Sequence, residues 1–530
     1  MMKNYLLISI LLFTFCLCAC NPDQVSDEKI EQVIRAREIK MKNLLGINAF
    51  EWDFLQNPDS PDIAYKIYEP KFQLVKAFGD VRHYLDWEKL ENTQGNYTFN
   101  PTNRGGWNYD VMYERLKSEG IDVLTCIKNT PDWLYNTYPV DQRGPDNLPA
   151  PYGANRLDPK SYIAQAKAGF QFAARYGANK NVDTSLVKVN SKQRWTGDGI
   201  NEVKTGLNYI RYVECGNEPD KWWLGNRAKH TGREYAASLS AFYDGHKGKL
   251  GKDVGIKSAD PSMVVVMSGL GRPDINFVKE MVAWCKENRG FKPDGSIDLC
   301  FDILNYHLYS NDNTGWFGKF INKKRGVAPE LTNQGEIANS FVDYAETLNK
   351  SFEVWITESG YDLNKTSVQR AIPIGDKSAY ITQADWMLRS SLLYARHGVN
   401  RSFYYQLYDT NPTGGIFGSS GFIENGKRRP VADYFMQVKN LMGDYAYYHT
   451  IEADPIVDIY VLGKKKMYIL VVPDEVDRKE DYQLDLHGAK NAVIYTLRPG
   501  FDTMEARQIA TKNGFLDITV TETPVFVEAK

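Results

Sequence analysis

Cysteine is scarce in this chain of 530 residues, and the seven present are not spaced to hold a metal. Cys16, Cys18 and Cys20 fall within the first twenty residues. Cys126, Cys215, Cys285 and Cys300 are scattered without C-x-x-C spacing, which argues against a zinc site. They are read as packing thiols, or as one disulfide, with Cys285 and Cys300 the pair most easily closed. Charge of one sign is also lacking: 64 Lys+Arg stand against 66 Asp+Glu with no basic stripe, so nucleic acid is not an expected partner. No other stretch past residue 20 reaches the ~18–20 apolar residues that a membrane span needs. Phosphate and dinucleotide loops, a His-Glu-x-x-His helix and a Gly-x-Ser-x-Gly elbow are all missing. No cofactor and no metal are expected.

What is present is apolar and aromatic: 43% hydrophobic residues suffice for a large core, and the length suggests more than one domain. Core packing accounts for most of the 33 Tyr and 11 Trp, although flat aromatic faces also suit the C–H faces of sugar rings. At the start, Lys3 precedes an apolar run, Tyr5 to Phe15, and the processing-site residues Leu17-Cys18-Ala19-Cys20. This stretch resembles a bacterial lipobox, which implies cleavage before Cys20, diacylation of Cys20 and a membrane contact through the lipid alone. The competing reading is an ordinary secretory signal cut nearby. Asn21 is not the Asp that would argue for inner-membrane retention, so an outer-membrane lipoprotein of the cell envelope is expected, with its face open.

After a charged linker over residues 21–40, apolar β-rich runs alternate with helical periodicity. The runs are Leu44–Phe50, Leu74–His83, Ile121–Lys128, Tyr209–Cys215, Val264–Leu270, Phe301–Tyr309, Glu353–Ser359 and Ser402–Leu407. Interleaved helices, such as Tyr109–Ser118 and Ser378–Arg396, complete the pattern of an α/β fold, a (β/α)8 TIM barrel over residues 41–441. The loops Tyr135–Pro159 and Gly177–Gly206 are long enough to be cleft walls or plain insertions. From about residue 442 the pattern turns to alternating strands, Val457–Leu462, Met467–Val472, Ala492–Leu497 and Ile518–Val527, predicting a small C-terminal β-sandwich to which the N-terminal segment lends a strand.

Barrel chemistry sits at the carboxyl ends of strands. The fourth predicted strand runs Glu214-Cys215-Gly216-Asn217-Glu218-Pro219, and alternation places Glu214 and Glu218 on one face with Glu218 uppermost. The seventh ends Trp355-Ile356-Thr357-Glu358-Ser359-Gly360. Two carboxylates at one barrel mouth suit paired acid/base and nucleophilic work. Their mutual repulsion is expected to leave Glu218 as the acid and Glu358 as the carboxylate. Glu214, deeper in the barrel, is a rival acid but reads better as a buried structural residue. Arg82 in the second strand is placed to orient Glu358, and His307 and Tyr309, two apart on one face of the sixth, to hydrogen-bond the carboxylates or the sugar. Trp222 and Trp223 are candidate sugar platforms, with Trp316 a weaker one, and Tyr405 in the eighth strand is a further substrate-binding candidate.

Asn217-Glu218-Pro219 resembles the Asn-Glu-Pro motif of clan A glycoside hydrolases, and the strand ending at Glu358 resembles the nucleophile strand of that clan. Trp87-Glu88 through Gly95-Asn96-Tyr97 is similar to a clan pattern, and Thr130-Pro131-Asp132-Trp133-Leu134 looks most like family 39. The resemblance implies retaining hydrolysis of a β-linked polysaccharide or oligosaccharide, with Glu218 as general acid/base, Glu358 as nucleophile and Asn217 bonded to the sugar 2-hydroxyl. One departure is that Tyr404-Tyr405-Gln406 stands where many clan members carry Trp. Two alternatives remain open: a non-catalytic glycan-binding lipoprotein and a transglycosylase using the same site.

Overall fold

The computed structural model describes residues 39–60, 64–194, 198–312 and 325–530. The leader with Cys20, nearly all of the linker, and Trp316 lie outside the described residues. Eight parallel strands close into a barrel: β1 (Gly46–Ala49), β2 (Asp80–Asp86), β3 (Asp122–Lys128), β4 (Tyr212–Cys215), β5 (Val264–Val266), β6 (Ile303–His307), β7 (Glu353–Glu358) and β8 (Arg401–Tyr404). The helices that follow them are α1 (Glu69–Val75), α2 (Tyr109–Ser118), α3 (Ile163–Tyr176), α4 (Gly232–Asp244), α5 (Ile275–Asn288), α6 (Gln334–Leu348), α7 (Ala379–Arg396) and α8 (Pro430–Met442). Local chemistry sets their ends. Asn108 and Asp274 cap α2 and α5, Thr231 and Glu234 form a capping box on α4, and Gly245 closes α4 at φ 64°.

The run Leu74–His83 is not one strand: Leu74 and Val75 finish α1, and β2 begins at Asp80. Gly79 makes the turn between them, so close to the chain that a Cβ there would lie 1.9 Å from the Lys42 carbonyl oxygen.

The barrel interior is tiered. At the bottom Leu124, Tyr212, Val266, Ile303, Trp355 and Phe403 form an apolar plug separate from the main core. Above it lies a fully buried polar tier of Asn48, Arg82, Glu214, Asn305 and Thr357. Asn48 Nδ2 donates to the Thr357 carbonyl (2.9 Å), Asn305 Nδ2 to Glu214 (3.1 Å) and Thr357 Oγ1 to Asn305 (3.0 Å). Buried polar groups must find partners, and this tier finds them across the barrel. The site stands on this layer.

A short hairpin, β9 (Ile423–Glu424) and β10 (Lys427–Arg428), precedes α8. Beyond it β11 (Ala446–Ala453), β12 (Ile456–Leu462), β13 (Lys465–Val471), β14 (Glu480–Asp485), β15 (Asn491–Thr496), β16 (Glu505–Ala510), β17 (Phe515–Val520) and β18 (Val525–Ala529) form two antiparallel sheets, ordered β11-β12-β13-β18-β15-β16 and β14-β17. Val457, Leu470 and Val527 of one sheet share an apolar cluster with Leu484, Leu516 and Val520 of the other. Ile518–Val527 is thus two strands in different sheets, broken at Thr521–Pro524, where proline cannot donate to a ladder. Among the described residues before the barrel, Lys40 makes an antiparallel bridge to Ala446, and residues 1–38 of the N-terminal segment lie outside the described residues. Ion pairs of Arg396 with Asp458 (2.7 Å) and Lys377 with Glu522 (2.9 Å) tie α7 and the segment before it to the sandwich. The four described cysteines are buried free thiols, with the Cys285 and Cys300 sulfurs 3.4 Å apart. Among the described residues no helix is long and apolar enough to cross a membrane.

Candidate active site

Two backbone departures bring Glu218 and Glu358 together. Strand alternation does not extend from Glu214 to Glu218, because β4 stops at Cys215 and the chain turns through Gly216 (φ 86°) and Glu218 itself (φ 51°). A left-handed glutamate is uncommon, and such strain collects where function requires it. The Glu218 amide is fixed by the Gly269 carbonyl at 3.1 Å. On β7 the register slips between Tyr306↔Ile356 and His307↔Glu358. That bulge lets Thr357 bond Asn305 inside the barrel while the next residue, Glu358, also faces inward, which regular alternation forbids.

Glu358 is almost fully buried. Arg82 Nη1 donates to its Oε1 at 3.1 Å, Tyr309 Oη to its Oε2 at 3.0 Å, and Tyr84 Oη also bonds its Oε1. Burial opposes ionisation, but His307, the Arg82 charge and the two tyrosine hydroxyls outweigh it and hold the carboxyl below the ordinary carboxylate range. Arg82 is fully buried as well. Its Nε and Nη2 donate to Glu214 (2.7 and 3.1 Å), and Nη2 also donates to Asn217 Oδ1 (2.8 Å). Glu214 is therefore the structural counterion of Arg82. His307 Nδ1 lies 2.9 Å from Glu218 Oε1, and its Nε2 is 3.5 Å from Glu358 Oε1. Burial disfavours its charged form, yet the neighbouring Glu358 and Glu218 raise its pKa.

Glu218, His307 and Glu358 each offer an atom within 4.8 Å of the others. These are metal-ligand atom types, but the Arg82 guanidinium already supplies positive charge at Glu358, so the cluster fits a carboxylate pair better than a cation cage. The carboxylates open into a cavity of about 250 Å³ lined also by Phe50, Tyr84, Lys128, Asn129, Asn217, Tyr405 and Phe417. Asp146, paired with Lys221, brings the Tyr135–Pro159 loop into this wall. No described residue of Gly177–Gly206 lines it; that loop bonds instead to the 97–103 segment, where Asn201 accepts from the Phe99 amide at 2.7 Å.

Of the site residues read from the sequence, Asn217, Glu218, Glu358 and Tyr405 line the cavity, His307 and Tyr309 bond its carboxylates, and Arg82 lies buried beneath them. Trp223 is 49% exposed, and its ring tip and Glu218 both face Gly271, where a Cβ would lie 3.2 Å from each. Trp222, 45% exposed, sits further out beneath Arg272, beside a groove of about 230 Å³. Tyr405 lines the cavity edge-on to Tyr84. Tyr84 and Phe417 are among the lining residues that escaped the sequence reading. Tyr84 is two positions from Arg82 and shares its face, so alternation alone marks it. Phe417 lies in a glycine-rich loop without periodicity.

No protein-family model and no curated protein matches the chain. Solved structures do. A family 39 glycoside hydrolase from Bacteroides cellulosilyticus WH2 aligns over 93% of this chain and 82% of its own, with TM-score 0.60 and 16% identity. An α-L-arabinofuranosidase from Thermotoga maritima covers 93% and 98% (TM-score 0.56, 12% identity), and a GH30 endoxylanase from Clostridium papyrosolvens C71 covers 93% and 97% (TM-score 0.51, 12% identity). The likeness is one of fold alone, and it runs over nearly the whole chain.

Proposed function

We propose that the chain is a glycoside hydrolase that cleaves a β-linked polysaccharide or oligosaccharide with retention of configuration. The observation that carries this reading is the carboxylate pair, with oxygens of Glu218 and Glu358 within 4.8 Å in one cavity at the carboxyl ends of β4 and β7. Retaining enzymes keep these groups roughly 5 Å apart so that one attacks the anomeric carbon directly, whereas inverting enzymes leave room for water. Glu358, held anionic, is the nucleophile that forms the glycosyl-enzyme. Glu218, on the side of Trp223, protonates the leaving oxygen and then activates water. Asn217, its oxygen occupied by Arg82, turns its amide nitrogen to the sugar 2-hydroxyl. The solved structures of like fold include an endoxylanase and an arabinofuranosidase, and the barrel by itself does not choose the sugar. We place the enzyme at the cell envelope on a lipid carried by Cys20, a placement that rests on the leader residues.

The test is reducing-end release by the purified protein on a panel of plant, algal and host glycans, with product anomers followed by NMR. One glycan class is expected to be cleaved with retention, and Glu218→Gln and Glu358→Gln each to lose about 10³-fold or more in kcat. Binding without cleavage, or a fully active Glu358→Gln, sinks the catalytic reading in favour of a glycan-binding protein. Labelled fatty acid that enters the Cys20→Ala protein as it enters the wild type would remove the lipid tether.

A further inference from the structure

Phe417 occupies the left-handed region of backbone space, at φ 69°, where bulky side chains are outliers. Its ring is 39% exposed, lines the cavity beside Glu358 and packs edge-on to Tyr309 at 4.7 Å. Tyr309 is the residue whose hydroxyl holds Glu358. A strained backbone and an apolar ring left in solvent are both unfavourable, and strain of this kind persists only where its surroundings over-determine it.

The surroundings do so. Asp362, buried on the loop after β7, accepts hydrogen bonds from the amides of Phe417 (2.9 Å) and Ser419 (3.2 Å). Gln406 Nε2 donates to the Phe417 carbonyl at 3.4 Å, and Asn364 Nδ2 to that of Gly414 at 2.8 Å. The Asn411 amide closes the loop on the Gly418 carbonyl at 3.0 Å. Gly418 packs so tightly that a Cβ there would lie 2.5 Å from the Asn411 oxygen. The loop is thus clipped to the scaffold of the nucleophile, and what it presents to the cavity is one flat apolar ring.

We propose that Phe417 is the apolar platform of the glycone subsite, on which the C–H face of the sugar bearing the scissile bond rests above Glu358, so that the ring selects sugars presenting such a face. Trp223 instead faces Gly271 together with Glu218, the group that acts on the leaving oxygen. The proposal rests on the hydrolase reading, and its test separates the two.

Wild type, Phe417→Gly, Phe417→Leu and Phe417→Tyr are compared for thermal midpoint and for kcat/KM on the glycan that wild type cleaves. Glycine accepts the left-handed backbone without strain. Phe417→Gly is therefore expected to melt at or above the wild-type temperature while losing tenfold or more in kcat/KM; Phe417→Leu should lose most of that activity and Phe417→Tyr keep it. A midpoint several degrees lower in Phe417→Gly, or an unchanged kcat/KM, makes the ring a structural prop and overturns the proposal. If wild type cleaves nothing, the hydrolase reading has failed, and the platform is judged by calorimetric binding of the same glycans to wild type and Phe417→Gly. Equal binding, or none to either, overturns it as well.

Discussion

Glu358 shows how far its neighbours set the charge of a buried carboxyl. A carboxylate this deep would ordinarily be driven toward its neutral form, yet Arg82, His307, Tyr84 and Tyr309 reverse the balance. Because the folded pKa lies below the ordinary value, the anion survives as pH falls and is lost only below the usual carboxylate range. The acid limb of kcat/KM is expected there. A hydrogen bond to a charged group contributes about 1.5–3 kcal/mol, and one pKa unit corresponds to about 1.4 kcal/mol. Tyr84→Phe should therefore raise the acid limb by about one pH unit, with Tyr309→Phe smaller in the same direction. A pH–rate profile checks both, and an unmoved limb with a lowered plateau would mean that the tyrosines position Glu358 without tuning it. Arg82 and His307 were legible because strand alternation puts them on the inward face, and Tyr309, past the end of β6, by extension of the same spacing. Tyr84 obeys the same rule, but without a motif around it nothing in the sequence asked for it.

At the scale of elements, the site depends on where regular structure stops. Alternation along β4 points to Glu218 for an incomplete reason, since a left-handed turn rather than the strand aims it. The bulge in β7 leaves no mark in the sequence, because Ile356, Thr357 and Glu358 are each ordinary strand residues there. Strand cores and helices were legible from periodicity. The edge strand β16, Glu-Ala-Arg-Gln-Ile-Ala, was not, because it is largely exposed and carries no apolar alternation. Past the end of β5, Gly269 bridges these irregularities. Its carbonyl accepts from the Glu218 amide and its own amide donates to Glu214 at 2.9 Å. A Cβ there would lie 2.2 Å from His307 Nε2 and 2.8 Å from Thr357 Oγ1. Gly269→Ala must therefore move His307, and misplacement by about 1 Å costs on the order of 100-fold in rate. Steady-state kinetics beside a circular dichroism spectrum checks this. A variant that is fully active, or one that fails to fold, shows that the strand end gives way elsewhere.

The whole molecule buries charge well beyond its active site, and the two directions of shift predict where it is most stable. Burial pushes Asp53 and Glu91 up to about 7, and Asp80 and Asp385 up to about 6. A folded pKa above the unfolded one gives stability that is complete below the unfolded value and lost as pH rises through the folded one. Glu51, Glu330 and Glu358 have the opposite sign: burial is outweighed by paired cations and hydrogen bonds, so their contribution is present above the ordinary carboxylate value and lost as pH falls through the folded one. The two sets put the maximum near the ordinary carboxylate value, about pH 4 to 4.5, with stability declining from there to about pH 7.5 as each raised group passes from its unfolded to its folded pKa. Above that range Lys439, lowered by burial to about 8, opposes the decline. The thermal midpoint measured from pH 4 to 8 should peak on the acid side of neutrality. Asp53→Asn, which keeps a side-chain oxygen for the Phe50 amide but cannot ionise, should flatten the slope above pH 6. A midpoint that rises steadily to pH 8 would mean that these carboxyls are charged in the fold, hydrated or paired more fully than their burial implies.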